Sequence, residues 1–385
     1  MWCGACTSSI GTWMQKLAQG WLVLQLSNSP FLLGLDAFLG EAPVVLLSLV
    51  GGAVADRRDR RHLLLLSQIV QMSCAILLAL LFAFRLIEVW HILCLSFIAG
   101  LGQAFGAPAY QALLPSLVKM EDLSNAIAMN SIQFNLARVI GPVLGGVALV
   151  KLGPSWCFGL NAASFLAVIV ALLAVKVAYI PAPTKDTLMT SMKQGLKFVR
   201  EHPAMPSLVA LAFAMTMLGV PLVIFLPVIA KDVFRQGSGT YTLLLSTYGA
   251  GSIAGALTVA SLGYVKAKGR IALVFLVCLG GAMSAFALSR ELWLSCLFLF
   301  AAGACLVAVL SLVSSLVQEI TDDYIRGRVM SVYNVAFRGG MPVGSLVTGA
   351  LVPHITAPVA LALNGVLLSG LAVYFIAVHK RVAKL

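Results

Sequence analysis

Five ionisable residues stand inside long apolar stretches of this sequence. Asp36 and Glu41 lie within 31–55, Lys16 within 3–26, and Arg138 and Arg338 within 123–149 and 326–352. A charge in the middle of a bilayer costs several kcal/mol unless it faces a cavity or a partner. If the second stretch enters near Phe31, a rise of about 1.5 Å per residue puts Asp36 roughly 8 Å deep and Glu41 roughly 15 Å deep. Glu41 is then the deepest carboxylate of the chain. Three roles are open to it. It can exchange protons as its access to water alternates, form a structural ion pair or hydrogen bond with Lys16, Arg138 or a packed seam, or touch a substrate. Asp36 is the weaker coupling candidate, since it lies within reach of the outer headgroups. The cations can serve as counter-ions or hold an anionic substrate, and Lys16 can also snorkel. Gln19, Gln103, Gln133, Asn135, Asn334 and Asn364 stand at cavity-compatible depth, where hydrogen bonds between helices are the plainer reading for most of them.

The elements that must carry these residues follow from composition. Of 385 residues, 60% are hydrophobic and 10% charged, with mean hydropathy +0.99. Soluble domains carry about 25% charged residues. At about 20 residues per crossing there is room for roughly a dozen spans. Hydropathy predicts them at 3–26, 31–55, 63–84, 90–112, 123–149, 154–177, 207–234, 241–264, 271–288, 292–318, 326–352 and 358–378. The stretch 179–206, with four prolines and several charges, reads as a linker between two halves, 1–178 and 207–385. With the first span starting inside, 18 of the 26 basic residues fall on the cytoplasmic side, 5 in outer loops and 3 within spans. That asymmetry predicts cytoplasmic termini. The net charge of +12 is answered by anionic headgroups and needs no nucleic acid. The first span begins almost at Met1 without a basic lead, so it reads either as a short N-terminus or as a start that trims the helix. A cleaved signal peptide does not fit, because no charged n-region precedes it.

An internal repeat joins the halves. Ser131, Arg138, Pro142 and Val143 recur at Ser331, Arg338, Pro342 and Val343, 200 residues on. A half-chain repeat in so apolar a chain points to a transporter built of two related helix bundles. Two motifs sharpen this. Gly52-Ala-Val-Ala-Asp56-Arg57-Arg58-Asp59-Arg60-Arg61, between spans 2 and 3, resembles the signature loop of the major facilitator superfamily. Asp59 stands where that pattern has a second glycine, as in its siderophore- and macrolide-exporting branch. Gly141-Pro142-Val-Leu-Gly145-Gly146 resembles the superfamily's antiporter motif, with Ala137 at its first glycine. The similarity covers nearly the whole chain, including Pro115 to Ala126 and Arg326 to Ser331.

The resemblance implies an all-α membrane protein of 12 transmembrane helices in two pseudo-symmetric six-helix bundles, working as a monomer in the bacterial inner membrane. It implies a secondary active exporter of a small amphipathic molecule, drug- or siderophore-like, cycling by alternating access with proton antiport. An importer of a small metabolite is the alternative, and a non-transporting scaffold a more distant one. In the signature loop, Gly52 would let span 2 approach a neighbour closely. Asp56 would face a helix N-terminus, balanced by Arg57, Arg60 and Arg61, and these contacts would bias the cytoplasmic gate. Pro142 would kink span 5, and Gly141 and Gly145 would make a flat packing face that the family places at the seam between bundles. Relatives tend to carry an Asp and an Arg where this chain has Gly106 and Tyr110. The corresponding loop of the second half, Gly255 through Lys266 to Arg270, has no Asp, so the gate is asymmetric.

Other chemistry is not supported. The sequence has no G-x-x-x-x-G-K-[ST] pattern for ATP, and no cofactor is called for beyond the proton gradient. The five histidines lie at loops or helix ends and do not pair. Eight scattered cysteines, Cys3 and Cys6 among them, lack the companions of a metal site, and an enzyme is not indicated.

Overall fold

Lipid offers a peptide group no hydrogen-bond partner, so an apolar run must close its backbone bonds within a helix. The computed structural model describes residues 2–174, 188–262, 267–378, 381–383 and 385. Residues 179–187 of the linker lie outside the described residues, as do Lys176, Lys185, Lys266, His379, Lys380, Lys384 and the side chains of Asp56 and Asn135. Among the described residues the chain is helical throughout, with no strand.

The first half forms α1 (Trp2–Ser27), α2 (Pro30–Arg57), α3 (Arg60–Ala83), α4 (Val89–Leu113), α5 (Leu123–Lys151) and α6 (Pro154–Ala174). Helix starts carry local signals. The Ser29 hydroxyl caps α2 by accepting from the Leu32 amide, with Pro30 at the first position, where no N–H is needed. Part of the expected linker is itself a helix, α7 (Leu188–Glu201). The predicted span 207–234 is broken into α8 (Met205–Gly219), α9 (Pro221–Ile224), α10 (Leu226–Val228) and a π-helical turn at Ile229–Val233. Pro221 and Pro227 remove the amides a continuous helix would need there. Then follow α11 (Ser238–Leu262), α12 (Lys268–Leu288), α13 (Leu292–Glu319), α14 (Asp323–Ile355) and α15 (Ala357–Ala377).

Among the described residues, eleven helical runs are long and apolar enough to cross a membrane, with α8 to the π-helical turn counted as one. The 26-residue α1 is long enough but too polar, because Thr7, Ser8, Ser9, Thr12, Gln15, Lys16 and Gln19 dilute it. Burial compensates, since Leu17, Ala18, Leu22, Val23 and Leu24 are sealed within the bundle.

The chain divides into two compact units. Unit 1 is Met1–Lys185 with Ser238–Thr242, and unit 2 is Asp186–Gly237 with Leu243–Leu385. Within unit 1, α2 packs on α4, α3 on α4 and α6, and α1 on α5 and α6. Within unit 2, α12 packs on α13 and α15, and α14 on α8. The helix α7 docks on α14, where a Cβ at Gly195 would sit 2.5 Å from the Arg328 carbonyl oxygen and Arg328 donates to the Gln194 side chain.

The sequence repeat is also a packing repeat. On α5, Gly141 and Gly145 bring the helix onto Trp13 and Met14 of α1; on α14, Gly340 and Gly344 bring it onto Phe213 and Met217 of α8. Equivalent turns carry positive φ in both units, Asn28 (49°) with Arg235 (55°) and Gly153 (90°) with Thr356 (71°).

Candidate functional site

Two carboxylates on α2 meet different surroundings. Asp36 is 8% exposed, and its hydrogen-bond donors are the neutral Gln19 and Ser96. The Gln19 amide donates to its two oxygens at 3.0 and 2.9 Å, and the Ser96 hydroxyl donates to Oδ1 at 2.5 Å. Gln19 also reaches Ser96 Oγ at 2.8 Å, so α1, α2 and α4 meet at one polar knot. The chain of polar groups continues along α1 and into α6. Gln15 donates to Gln19 at 3.4 Å, and Asn161 donates to Gln15 at 2.7 Å. Asp36 therefore lies inside the helix packing, bonded by Gln19 and Ser96.

Glu41, five residues on, is half-open. Its Oε1 lies 3.2 Å from Lys16 Nζ, with side-chain exposures of 23% and 55%. Lys16 therefore answers Glu41 and is held on α2. The ammonium also lies 5.6 Å from the centroid of the Trp13 ring. The Arg138 guanidinium lies 5.6 Å from the same ring and 5.8 Å from that of Phe134. Among the described residues, no carboxylate is within ion-pair distance of Arg138. Arg338, its repeat mate on α14, is partly buried.

The polar candidates separate. Gln19 belongs to the Asp36 knot. Gln133 is buried and fastens α5 to α1, donating to the Ala5 carbonyl at 3.2 Å and to Ser9 Oγ at 2.9 Å. Asn364 is buried and donates to Thr348 Oγ1 at 3.1 Å, a bond between α15 and α14. Gln103 and Asn334 are exposed. Reading by residue type passed over Gln15, Ser96 and Trp13. The i,i+4 spacing of Gln15 with Gln19 and the i,i+3 spacing of Trp13 with Lys16 mark shared helix faces and were available signals.

The signature loop ties helix ends together. Asp59 caps α3, accepting from the Arg61 amide at 2.8 Å, and pairs with His62 Nδ1 at 2.6 Å. Burial pushes the Asp59 carboxyl up, but the His62 bond and the two capping amides outweigh it and hold the group below the usual carboxylate range. Arg60 donates to the carbonyls of Ala55 (3.4 Å) and Ala112 (3.0 Å), near the ends of α2 and α4. Arg61 donates to Leu172 (2.7 Å) and Leu173 (2.9 Å), in the last turn of α6. Such carbonyls lack intrahelical partners and carry the negative end of the helix dipole. Beneath this clamp Ala55, Leu64, Ala109, Leu113, Val168 and Leu172 form an apolar cluster. Arg57 is exposed.

One expectation needs correction. The close approach expected at Gly52 is made by Gly51, where a Cβ would lie 2.3 Å from the Ala104 carbonyl oxygen; at Gly52 it would meet nothing within 4 Å. One residue turns a helix by about 100°, enough to move a glycine off the contact face. The flat face of Gly141 and Gly145 lies against α1 within unit 1, while a Cβ at the adjacent Gly146 would lie 1.9 Å from Thr242 Cγ2. At Gly106, where relatives tend to carry Asp, a Cβ would lie 2.1 Å from Ser67 Oγ, so α3 leaves no room for a side chain. Tyr110 donates to Asn130 Oδ1 at 3.1 Å. Among the described residues no group of His, Cys, Asp and Glu could hold a metal.

Comparison with known proteins agrees with this architecture. The family described as transmembrane secretion effector matches residues 1–384. The chain is 26% identical over 388 residues to the multidrug efflux pump Tap of Mycolicibacterium fortuitum, covering 96% of this chain and 93% of that protein. It is 26% identical over 348 residues to the enterobactin exporter EntS of Salmonella typhi, covering 89% and 82%. Among solved structures, the nucleoside transporter NupG superposes with a TM-score of 0.72 at 14% identity, over 98% of this chain and 97% of that one, which speaks to the fold alone. Matched over almost its full length, the chain belongs to the transmembrane secretion effector family of the major facilitator superfamily and is a membrane transporter, not an enzyme.

Proposed function

We propose that this transporter exports a small amphipathic molecule, drug- or siderophore-like, by alternating access with proton antiport through Glu41. The observation that carries the coupling is the Lys16–Glu41 pair, a partly exposed carboxylate well inside α2 and bonded to a cation on α1. A proton arriving at Glu41 cancels one half of this pair and removes the attraction between α1 and α2 at that point. Proton loss restores it. Asp36, sealed among Gln19 and Ser96, fastens helices in this reading and does not cycle. Export as the direction is supported by the relatives named as an efflux pump and a siderophore exporter. The charge asymmetry supports cytoplasmic termini in a bacterial inner membrane. The working unit is a monomer with bilayer lipid and the small-molecule substrate as its partners, using the proton gradient and no cofactor.

The test uses proteoliposomes with an imposed pH gradient and a panel of macrolides, lipophilic dyes and siderophores. Wild type should move at least one of them. Glu41→Gln should still bind it but lose gradient-driven movement, and Asp36→Asn should lose thermal stability first. Unchanged transport by Glu41→Gln would make the pair structural. Uncoupling by Asp36→Asn alone would move the assignment to Asp36.

A further inference from the structure

Among the described residues, Arg138 carries a charge inside a span that no carboxylate answers. Lys16 has Glu41 at 3.2 Å, whereas among the described residues Arg138 has no carboxylate in reach and rests on two aromatic rings. Those rings weaken the cost of burying the guanidinium, but a cation–π contact contributes only about 0.5–2 kcal/mol. A planar guanidinium with five donors is the side chain best suited to grip a carboxylate or similar oxyanion on two points. Trp13 is held close to α5 at its base, because a Cβ at Gly141 would lie 2.4 Å from Trp13 Cβ and 2.9 Å from the Ile10 carbonyl oxygen. The second ring is open, with Phe134 53% exposed. The patch thus offers an oxyanion donor, an indole on a closely packed helix and an accessible phenyl face.

We propose that this patch of α1 and α5 binds the exported molecule and selects one that carries an oxyanion beside an aromatic ring. The oxyanion takes the Arg138 guanidinium, and the ring stacks on Trp13 and Phe134. This deepens the export reading and rests on it for the direction of movement. The phosphate of an anionic lipid shares the same oxyanion chemistry, so the experiment must separate the two.

The experiment measures equilibrium binding to the full chain in phosphatidylcholine nanodiscs, with empty discs subtracted and no gradient. The probes are 4-(pyren-1-yl)butanoate, its methyl ester and pyrenylmethylammonium. The wild type should bind the carboxylate at least tenfold more tightly than the ester or the ammonium. Arg138→Gln should erase that preference, Arg138→Lys should keep part of it, and Trp13→Leu should weaken carboxylate and ester together. Equal binding of carboxylate and ester by wild type overturns the proposal, as does a full preference persisting in Arg138→Gln. If Arg138→Gln does not purify as a folded protein, Arg138→Lys decides, and an undiminished preference there overturns it. Competition by phosphatidylglycerol, with no carboxylate preference in phosphatidylcholine discs, assigns the patch to headgroups and also overturns it. Failure of the wild type to move substrate in response to an imposed pH gradient, with the binding pattern intact, sinks proton antiport and leaves this site standing.

Discussion

Arg61 gives the sharpest test of what the signature loop does. Its guanidinium donates to Leu172 and Leu173, whose carbonyls fall in the last turn of α6, which ends at Ala174. Arg61→Ala leaves both without this partner and removes a cation from the negative end of the dipole. Hydrogen bonds to charged groups contribute about 1.5–3 kcal/mol each. Arg61 is only partly buried, so the pair is valued at the lower end, about 2–3 kcal/mol. For a unit of 150–250 residues this corresponds to a fall in melting temperature of roughly 4–12 °C. Arg61→Lys keeps the charge but, as a point donor, serves one carbonyl and should recover about half. Arg58→Ala, an exposed neighbour, should change stability by no more than about 0.5 kcal/mol. With the exposed or partly exposed Cys3, Cys6, Cys94, Cys278 and Cys296 replaced by serine, the thiols left are the buried Cys74, Cys157 and Cys305, of which Cys157 on α6 is 0% exposed. They report unfolding by reacting with a fluorogenic maleimide when their helices open. If Arg61→Ala melts with Arg58→Ala and wild type, the carbonyl clamp does not stabilise the unit. Full rescue by Lys would refute the two-carbonyl geometry and leave only charge.

The same thiol assay checks three further expectations. Gly145→Ala places a Cβ 2.8 Å from Met14 Cα, and Gly344→Ala places one 1.9 Å from the Met217 carbonyl oxygen. Each should destabilise by about 1–3 kcal/mol, whereas Gly159→Ala, with open space around it, should gain up to about 1 kcal/mol. A gain at all three would contradict the packing. Gly106→Ala should lose stability against Ser67 Oγ and regain most of it in combination with Ser67→Gly, a coupling that a double-mutant cycle reads directly. Thr356 holds φ 71° and ψ 154°, a region nearly reserved for glycine. Thr356→Gly should therefore stabilise by about 1–3 kcal/mol, and a loss would show that the backbone there is not strained.

Spans were legible because lipid imposes a length and an apolarity that few other constraints mimic. The half-chain repeat was legible because Arg138 and Pro142 recur at Arg338 and Pro342 in a fixed register. The glycines beside them keep their partner helix but shift by a residue, 141 and 145 against 340 and 344, which is why exact matching finds Arg and Pro before it finds the packing face. The partners of Asp36 were hidden for a different reason. Gln19 and Ser96 stand 17 and 60 residues away, and only the packing of three helices unites them. Arg61 and Leu172 are 111 residues apart, so that a loop reading as a gate in sequence also caps a helix end is visible only in space.

The corresponding positions of unit 2 show that the scaffold is repeated while its chemistry is not. Lys268 opens α12 as Arg60 opens α3. It pairs with the carboxylate of Glu319 at the end of α13, where Arg60 takes the Ala112 carbonyl near the end of α4. One fold position therefore joins the same kind of helix ends, once through an acid and once through peptide oxygens. Unit 1, having used arginine on backbone groups here, keeps its intramembrane acids for α2. Of those, Asp36 is consumed in fastening α1, α2 and α4. Glu41 alone is left on a partly exposed face with an ammonium that a proton can displace from it. The division follows from neighbours: the neutral donors Gln19 and Ser96 that hydrogen-bond buried Asp36 make a joint, whereas a lysine 55% exposed makes a contact that can be broken and remade.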